Sequence, residues 1–182
     1  MSKQARYFYN RGNSYRTLGK HLRAIEEYDK AIGLDSNEAS AYNNRGSSYD
    51  DLGRHRLALE DYSKAISLDS KYAAAYYNRG NSYDAIGQYQ RAIEDYDKAI
   101  ELRPDAGRYF YNRGNSYRAL GKHLRAIKDY DRAIELYPGV ARYFNNRGDS
   151  YRALGHYRRA IADYDKACLL YTSPSPRDAT LS

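Results

Sequence analysis

The stretch Asn78-Arg79-Gly80-Asn81-Ser82-Tyr83 decides how this chain is read. Its first three residues recur as Asn10-Arg11-Gly12, Asn44-Arg45-Gly46, Asn112-Arg113-Gly114 and Asn146-Arg147-Gly148, always 34 residues apart. Aligned on that tripeptide, residues 5–38, 39–72, 73–106, 107–140 and 141–174 form five gapless units. A fixed period of this length is the signature of a stacked repeat, in which one unit cannot bury its apolar face alone.

Within a unit, numbered 1 to 34, several positions never change. Position 8 is Gly, 11 is Tyr, 15 is Gly, 20 is Ala, 24 is Tyr and 27 is Ala. Positions 4, 8 and 11 share one helical face, as do 20, 24 and 27. Gly at 15 lies between the two periodic runs, where a helix end takes a left-handed residue. Each unit therefore reads as helix, turn, helix. The small residues at 8, 20 and 27 allow close helix approach, and rings at 4, 11 and 24 fill the space.

This pattern resembles the tetratricopeptide repeat, with a large residue at 4, Gly at 8, Tyr at 11, Ala at 20, an aromatic at 24 and Ala at 27. The resemblance spans nearly the whole chain. It implies an all-α, right-handed α-α superhelix of five helix-turn-helix repeats over 5–174. Departures exist. Position 4 is Phe8, Tyr42, Tyr76, Phe110 and Phe144, never Trp, and position 32 is Pro only at Pro104 and Pro138. Position 7 is Arg in every unit, and position 23 is always acidic, from Glu27 to Asp163. Matched columns of this kind predict a half-buried Arg–carboxylate pair between the two helices.

Composition alone would mislead. Among 182 residues, Leu, Ile, Val and Phe total 28, and the mean hydropathy of −0.94 falls in the range of disordered chains. The 23 Tyr and 23 Ala restore the balance. Ten of those tyrosines stand at positions 11 and 24, so the core is expected to be built of Tyr and Ala. Units 1 and 4 are near copies, which points to duplication of a longer block. The C-terminal run Thr172-Ser173-Pro174-Ser175-Pro176 breaks the repeat with two prolines. Residues 175–182 are expected to be disordered and to resemble translated vector or adapter sequence more than native protein.

Several function classes drop out. No apolar run reaches the roughly 18 residues of a membrane helix, so no membrane partner is expected. The N-terminus lacks an apolar signal core, and the single Cys168 excludes a disulfide framework. Both favour the cytoplasm, with the nucleus open. The histidines His21, His55, His123 and His156 each sit at a turn, no more than one in a unit, too far apart to share a metal. No phosphate loop or nucleophile–base grouping stands out, so neither an enzyme nor a cofactor is expected.

The resemblance further implies that positions 2, 5, 6, 9, 12 and 13 line a concave groove. Position 6 supplies Asn10, Asn44, Asn78, Asn112 and Asn146; position 9 supplies Asn13, Asn81 and Asn115. Such amides can pair with an extended peptide backbone whatever its side chains. Tyr77 and Tyr111 add flat contact area. Repeat charges run +1, 0, −2, +4 and +3, so the excess behind the net +7 lies in the last two units. Their groove arginines are Arg108, Arg118, Arg142 and Arg152, whereas Asp50 and Asp84 hold position 12 in units 2 and 3. The partner is thus expected to be a protein or peptide, acidic where it meets the last units. Two alternatives stay open. Some family members clamp acidic C-terminal tails of chaperones; Asn81, Asn112 and Arg142 match that clamp, while Tyr77 and Asn146 depart from it. A basic, Tyr- and Arg-rich chain could also bind nucleic acid. Oligomeric state is not legible.

Overall fold

The computed structural model describes residues 2–172. The expectations for the C-terminal tail fall on residues outside this range. Among the described residues there are ten α-helices and no strand. They are α1 (Lys3–Thr17), α2 (His21–Leu34), α3 (Ala39–Asp51), α4 (His55–Leu68), α5 (Ala73–Ala85), α6 (Tyr89–Leu102), α7 (Gly107–Ala119), α8 (His123–Leu136), α9 (Ala141–Ala153) and α10 (Tyr157–Thr172). Each repeat is one pair of helices, as its periodicity requires. The helices group into two compact units, residues 1–103 with three repeats and residues 104–182 with two.

In both units the turn inside each repeat is the same. Gly19, Gly53, Gly87, Gly121 and Gly155 all have φ between 68° and 77°, and no other described residue has a positive φ. A side chain there would be strained. The glycine N–H returns to position 12 (Gly19 to Arg16, 2.9 Å) and the next N–H to position 11 (Lys20 to Tyr15, 2.9 Å). This Schellman closure satisfies the last carbonyls of the first helix and reverses the chain.

Packing within a repeat rests on a second glycine. A Cβ on Gly12 would lie 2.6 Å from the Tyr28 ring, and one on Gly80 2.7 Å from Tyr96; Gly46, Gly114 and Gly148 meet Tyr62, Tyr130 and Tyr164 the same way. Position 8 therefore holds Gly because the position-24 ring lies flat against its backbone. Tyr28, Tyr62, Tyr96 and Tyr130 are fully buried, beside equally buried alanines such as Ala24, Ala58, Ala92 and Ala126. Between repeats of the first unit, Tyr42 and Ala65 pack with Ala75, and Ile32, Ile66 and Tyr72 close around them. In the second, Phe144 and Ala167 pack with Ala141, Ile134 and Leu170. Interlocking rings and small residues bury enough surface to replace a leucine core.

The Arg–carboxylate columns meet as forked pairs. Arg79 donates from Nε and Nη2 to Asp95 at 2.8 and 2.7 Å. Arg45–Asp61, Arg113–Asp129 and Arg147–Asp163 repeat the geometry at 2.6–2.8 Å. Arg11 reaches Glu27 at 2.9 Å. The remaining Nη1 reaches back one repeat: Arg45 to Asp29 and Arg147 to Asp131, both 2.6 Å, and Arg79 to Ser63 at 3.1 Å. One guanidinium thus ties two helices of its own repeat and one of the repeat before. Burial pushes the Asp61 and Asp95 carboxyls upward while their arginines pull them down.

Candidate functional site

The residues expected to line the groove stand on the odd-numbered helices. The structure shows that many of them bond to one another first. Asn44 Nδ2 donates to Asn13 Oδ1 (2.9 Å) and to the Tyr9 hydroxyl (3.0 Å), while Asn13 Oδ1 also accepts from the buried Tyr28 hydroxyl at 2.7 Å. Repeats 4 and 5 repeat this motif. Asn146 Nδ2 donates to Asn115 Oδ1 and to the Tyr111 hydroxyl, both 2.9 Å, and Tyr130 donates to Asn115 at 2.8 Å. Asn78 Nδ2 donates to Asn43 Oδ1 at 3.0 Å, and Asn81 accepts from Tyr96 at 2.8 Å.

The asparagine columns therefore have a structural duty that spacing did not disclose. Position 9 gives the position-24 hydroxyl its acceptor in repeats 1, 3, 4 and 5, and position 6 of the next repeat donates to the same oxygen from repeat 2 to 1 and from repeat 5 to 4. The 31-residue separation of the two asparagines was the available signal. It places position 9 of one helix beside position 6 of its neighbour. Asn10 stands exposed on α1, and Asn112 is half-buried with its carbonyl accepting from Ser116 (3.3 Å).

Repeat 2 breaks the pattern. Ser47 replaces Asn at position 9 and is too short to reach the ring hydroxyl. Asp50 takes over, its Oδ2 accepting from Tyr62 (2.9 Å) and from Ser82 of the next repeat (2.6 Å). Its Oδ1 lies 2.9 Å from His55 Nδ1. Asp51, one residue on, lies 3.3 Å from His21 Nδ1. A cavity of about 280 Å³ opens here, lined by Ser47, Asp50, His55, Tyr62, Asn78 and Asn81 among others. Burial and the Asp50 charge together push the Tyr62 phenol upward. Sequence reading recorded Asp50 as a charge in a column and missed this junction. The lone Ser in a column of Asn and Asp was the clue.

In repeats 4 and 5 the same face is basic. The Arg142 guanidinium lies 5.4 Å from the Tyr111 ring centre and 5.7 Å from Tyr143, and Arg108 lies 5.3 Å from Tyr109. Tyr111 and Tyr143 pack at 4.8 Å, forming a ring platform under Arg142. Arg118 stands beside Tyr130; its Nε is buried without a hydrogen-bond partner. Arg152 is exposed, 3.5 Å from Asp149. Tyr77, in the first unit, lies 6.0 Å from the Tyr96 ring and is half-buried. Among the described residues no group of three His, Cys, Asp or Glu could hold a metal ion. No helix there is long and apolar enough to cross a membrane.

Comparison with known proteins bears on the same frame. Family models described as "Tetratricopeptide repeat" match residues 39–72, 73–106, 107–140 and 141–173, and one described as "TPR repeat" matches 12–53. No curated protein matches the sequence. Among solved structures, the crystal structure of MamA is 30% identical, with 93% of this chain and 96% of that one covered and a TM-score of 0.83. YrrB, a TPR protein with an unusual peptide-binding site, is 25% identical, with 90% and 84% covered and a TM-score of 0.76. MamA residues 41 to the end from Desulfovibrio magneticus RS-1 shares the fold at TM-score 0.87, with 94% and 97% covered and 19% identity. Five matched repeats, a glycine turn in each and a Gly–Tyr contact in each leave one conclusion: this chain belongs to the tetratricopeptide repeat family.

Proposed function

We propose that this chain is a non-catalytic protein-interaction scaffold, and that the odd-helix face of repeats 4 and 5 binds an acidic peptide segment. The observation that carries the reading is the ring platform under Arg142. Tyr111 and Tyr143 hold the guanidinium of the exposed Arg142 by cation–π contact, and its forked donors suit a carboxylate. Arg108 and Arg152 stand exposed on the same helices, and repeats 4 and 5 carry +4 and +3. A carboxylate-rich strand meets pre-positioned donors there at little ordering cost. YrrB, a TPR protein with an unusual peptide-binding site, supports the reading that an array of this kind holds a peptide.

The test is titration of a dye-labelled Glu- and Asp-rich peptide against the full chain. Binding that weakens with salt, and at least tenfold on Arg108→Glu/Arg142→Glu, supports the reading. Equal binding to that variant overturns it. Preference for single-stranded RNA over the peptide, lost on the same variant, would move the chain to the nucleic-acid class.

A further inference from the structure

A second surface follows the turns that join the two helices of each repeat. Residues 18–23, 52–57, 86–91, 120–125 and 154–159 make up these turns. Together they hold nine Lys and Arg, all four histidines and not one Asp or Glu, in a chain with 23 acidic residues. The even-numbered helices begin here, and none carries an acidic residue in its first turn. The N-caps of α2, α4, α6 and α8 have no side-chain bond. Positive charge at the positive end of a helix works against stability. A fold that only needed stability would place Asp or Ser at these sites.

The same turns expose apolar side chains. Leu18 is 66% exposed, Leu22 56% and Leu124 67%. Each open depression is formed by one turn and an aliphatic residue of the following repeat. Leu22 and Leu52 line one of about 450 Å³, Leu57 and Ile86 one of about 440 Å³, and Leu124 and Leu154 one of about 370 Å³. Position-19 arginines lie over the position-11 rings, Arg23 at 5.8 Å from Tyr15 and Arg91 at 4.3 Å from Tyr83, so these basic groups are held in place.

We propose that the turn edge of the first unit, repeats 1 to 3, is a docking surface for an acidic segment of a partner protein that places one apolar side chain in each of its two depressions. Lys20, Arg23, Arg54, Arg56 and Arg91 outnumber the neighbouring Asp50, Asp51 and Asp84, which disfavours a basic partner. Nucleic acid would use the arginines but gain nothing from an aliphatic floor, and a flat bilayer cannot fill depressions whose rims are charged. Successive repeats are roughly one helix diameter apart, about 10 Å. An extended chain covers that distance in about three residues at about 3.3 Å each. The matching segment is therefore extended, with Leu, Ile or Phe at every third position and Asp or Glu between. The residues of this edge are distinct from Arg108, Arg142 and Arg152 of the proposed peptide site.

A random peptide library displayed on phage, selected on the full chain, tests the proposal. Selected sequences are expected to show the apolar-acidic-acidic-apolar spacing. A synthetic peptide of that sequence is expected to bind Lys20→Glu/Arg54→Glu/Arg56→Glu at least tenfold more weakly and Arg108→Glu/Arg142→Glu unchanged. The milder Leu22→Ser/Leu52→Ser is expected to lose several-fold, with circular dichroism confirming the fold of each variant. No enrichment beyond that on the triple variant overturns the proposal. So does enrichment lost only on the groove variant. Binding to phosphatidylserine vesicles that the triple variant abolishes, without peptide enrichment, would assign the edge to a lipid surface instead.

Discussion

Tyr62 in repeat 2 and Tyr130 in repeat 4 fill the same slot, yet their surroundings differ in sign. Tyr130 donates to neutral Asn115 and has Arg118 beside it. Tyr62 donates to the Asp50 carboxylate, which also takes Ser82 and His55. The constant need is an acceptor for a buried phenol, because an unpaired one costs about 1–3 kcal/mol. The residue that meets the need can move from position 9 to position 12, and the face charge changes with it. The frame common to all repeats is thus separable from the chemistry each repeat presents.

The largest expected effect falls on the frame and is the same in both regions. Asp61→Ala and Asp129→Ala each leave a half-buried guanidinium without its forked partner and should each cost about 3–5 kcal/mol. Urea unfolding of the two variants measures this. A large loss in one region with none in the other would break the claim of a common frame. Next in size is Asp50→Ala, which strips the acceptor from Tyr62 and Ser82 and should cost about 1–3 kcal/mol. Adding Ser47→Asn to that variant should recover most of the loss, since Asn13, Asn81 and Asn115 serve the same hydroxyl elsewhere. A double variant no more stable than Asp50→Ala would show that position 9 cannot substitute.

Smaller again is Arg142→Ala. Its contacts are an exposed cation–π stack, so stability should fall by no more than about 1 kcal/mol. Affinity for an acidic peptide should nonetheless drop about tenfold. A melting shift as large as that of Asp129→Ala would place Arg142 in the frame. The smallest effect is alkaline. Burial holds the Tyr28 phenol up to about 12 against an unfolded value near 10. Between those values the folded ring keeps a proton that the unfolded ring loses. The contribution is therefore full below pH 10 and falls as pH rises toward 12. Tyr62 and Tyr130 are raised as well, Tyr62 by burial and the Asp50 charge, Tyr130 by burial against the lowering pull of Arg118. An alkaline titration followed by NMR of labelled tyrosine rings should show Tyr130 ionising before Tyr62. Removal of the Asp50 charge by Asp50→Asn should narrow that gap.

The sequence determined the helices, their turns and their pairing, because each depends on local periodicity or on a residue no other can replace. Gly at position 15 is legible as a left-handed turn, and the columns at 7 and 23 announce their ion pair by holding opposite charge in every repeat. The groove face was less legible. Its asparagines could be assigned to one side of a helix, but whether an amide faces a ligand or the next repeat depends on atoms 31 residues away. Asp50 shows the limit most plainly. As a letter it is one more acidic residue on a helix. Its hold on a phenol, a serine and a histidine exists only once repeats 2 and 3 are packed, because tertiary contact decides which of several polar groups within reach is left with no water and must find a protein partner.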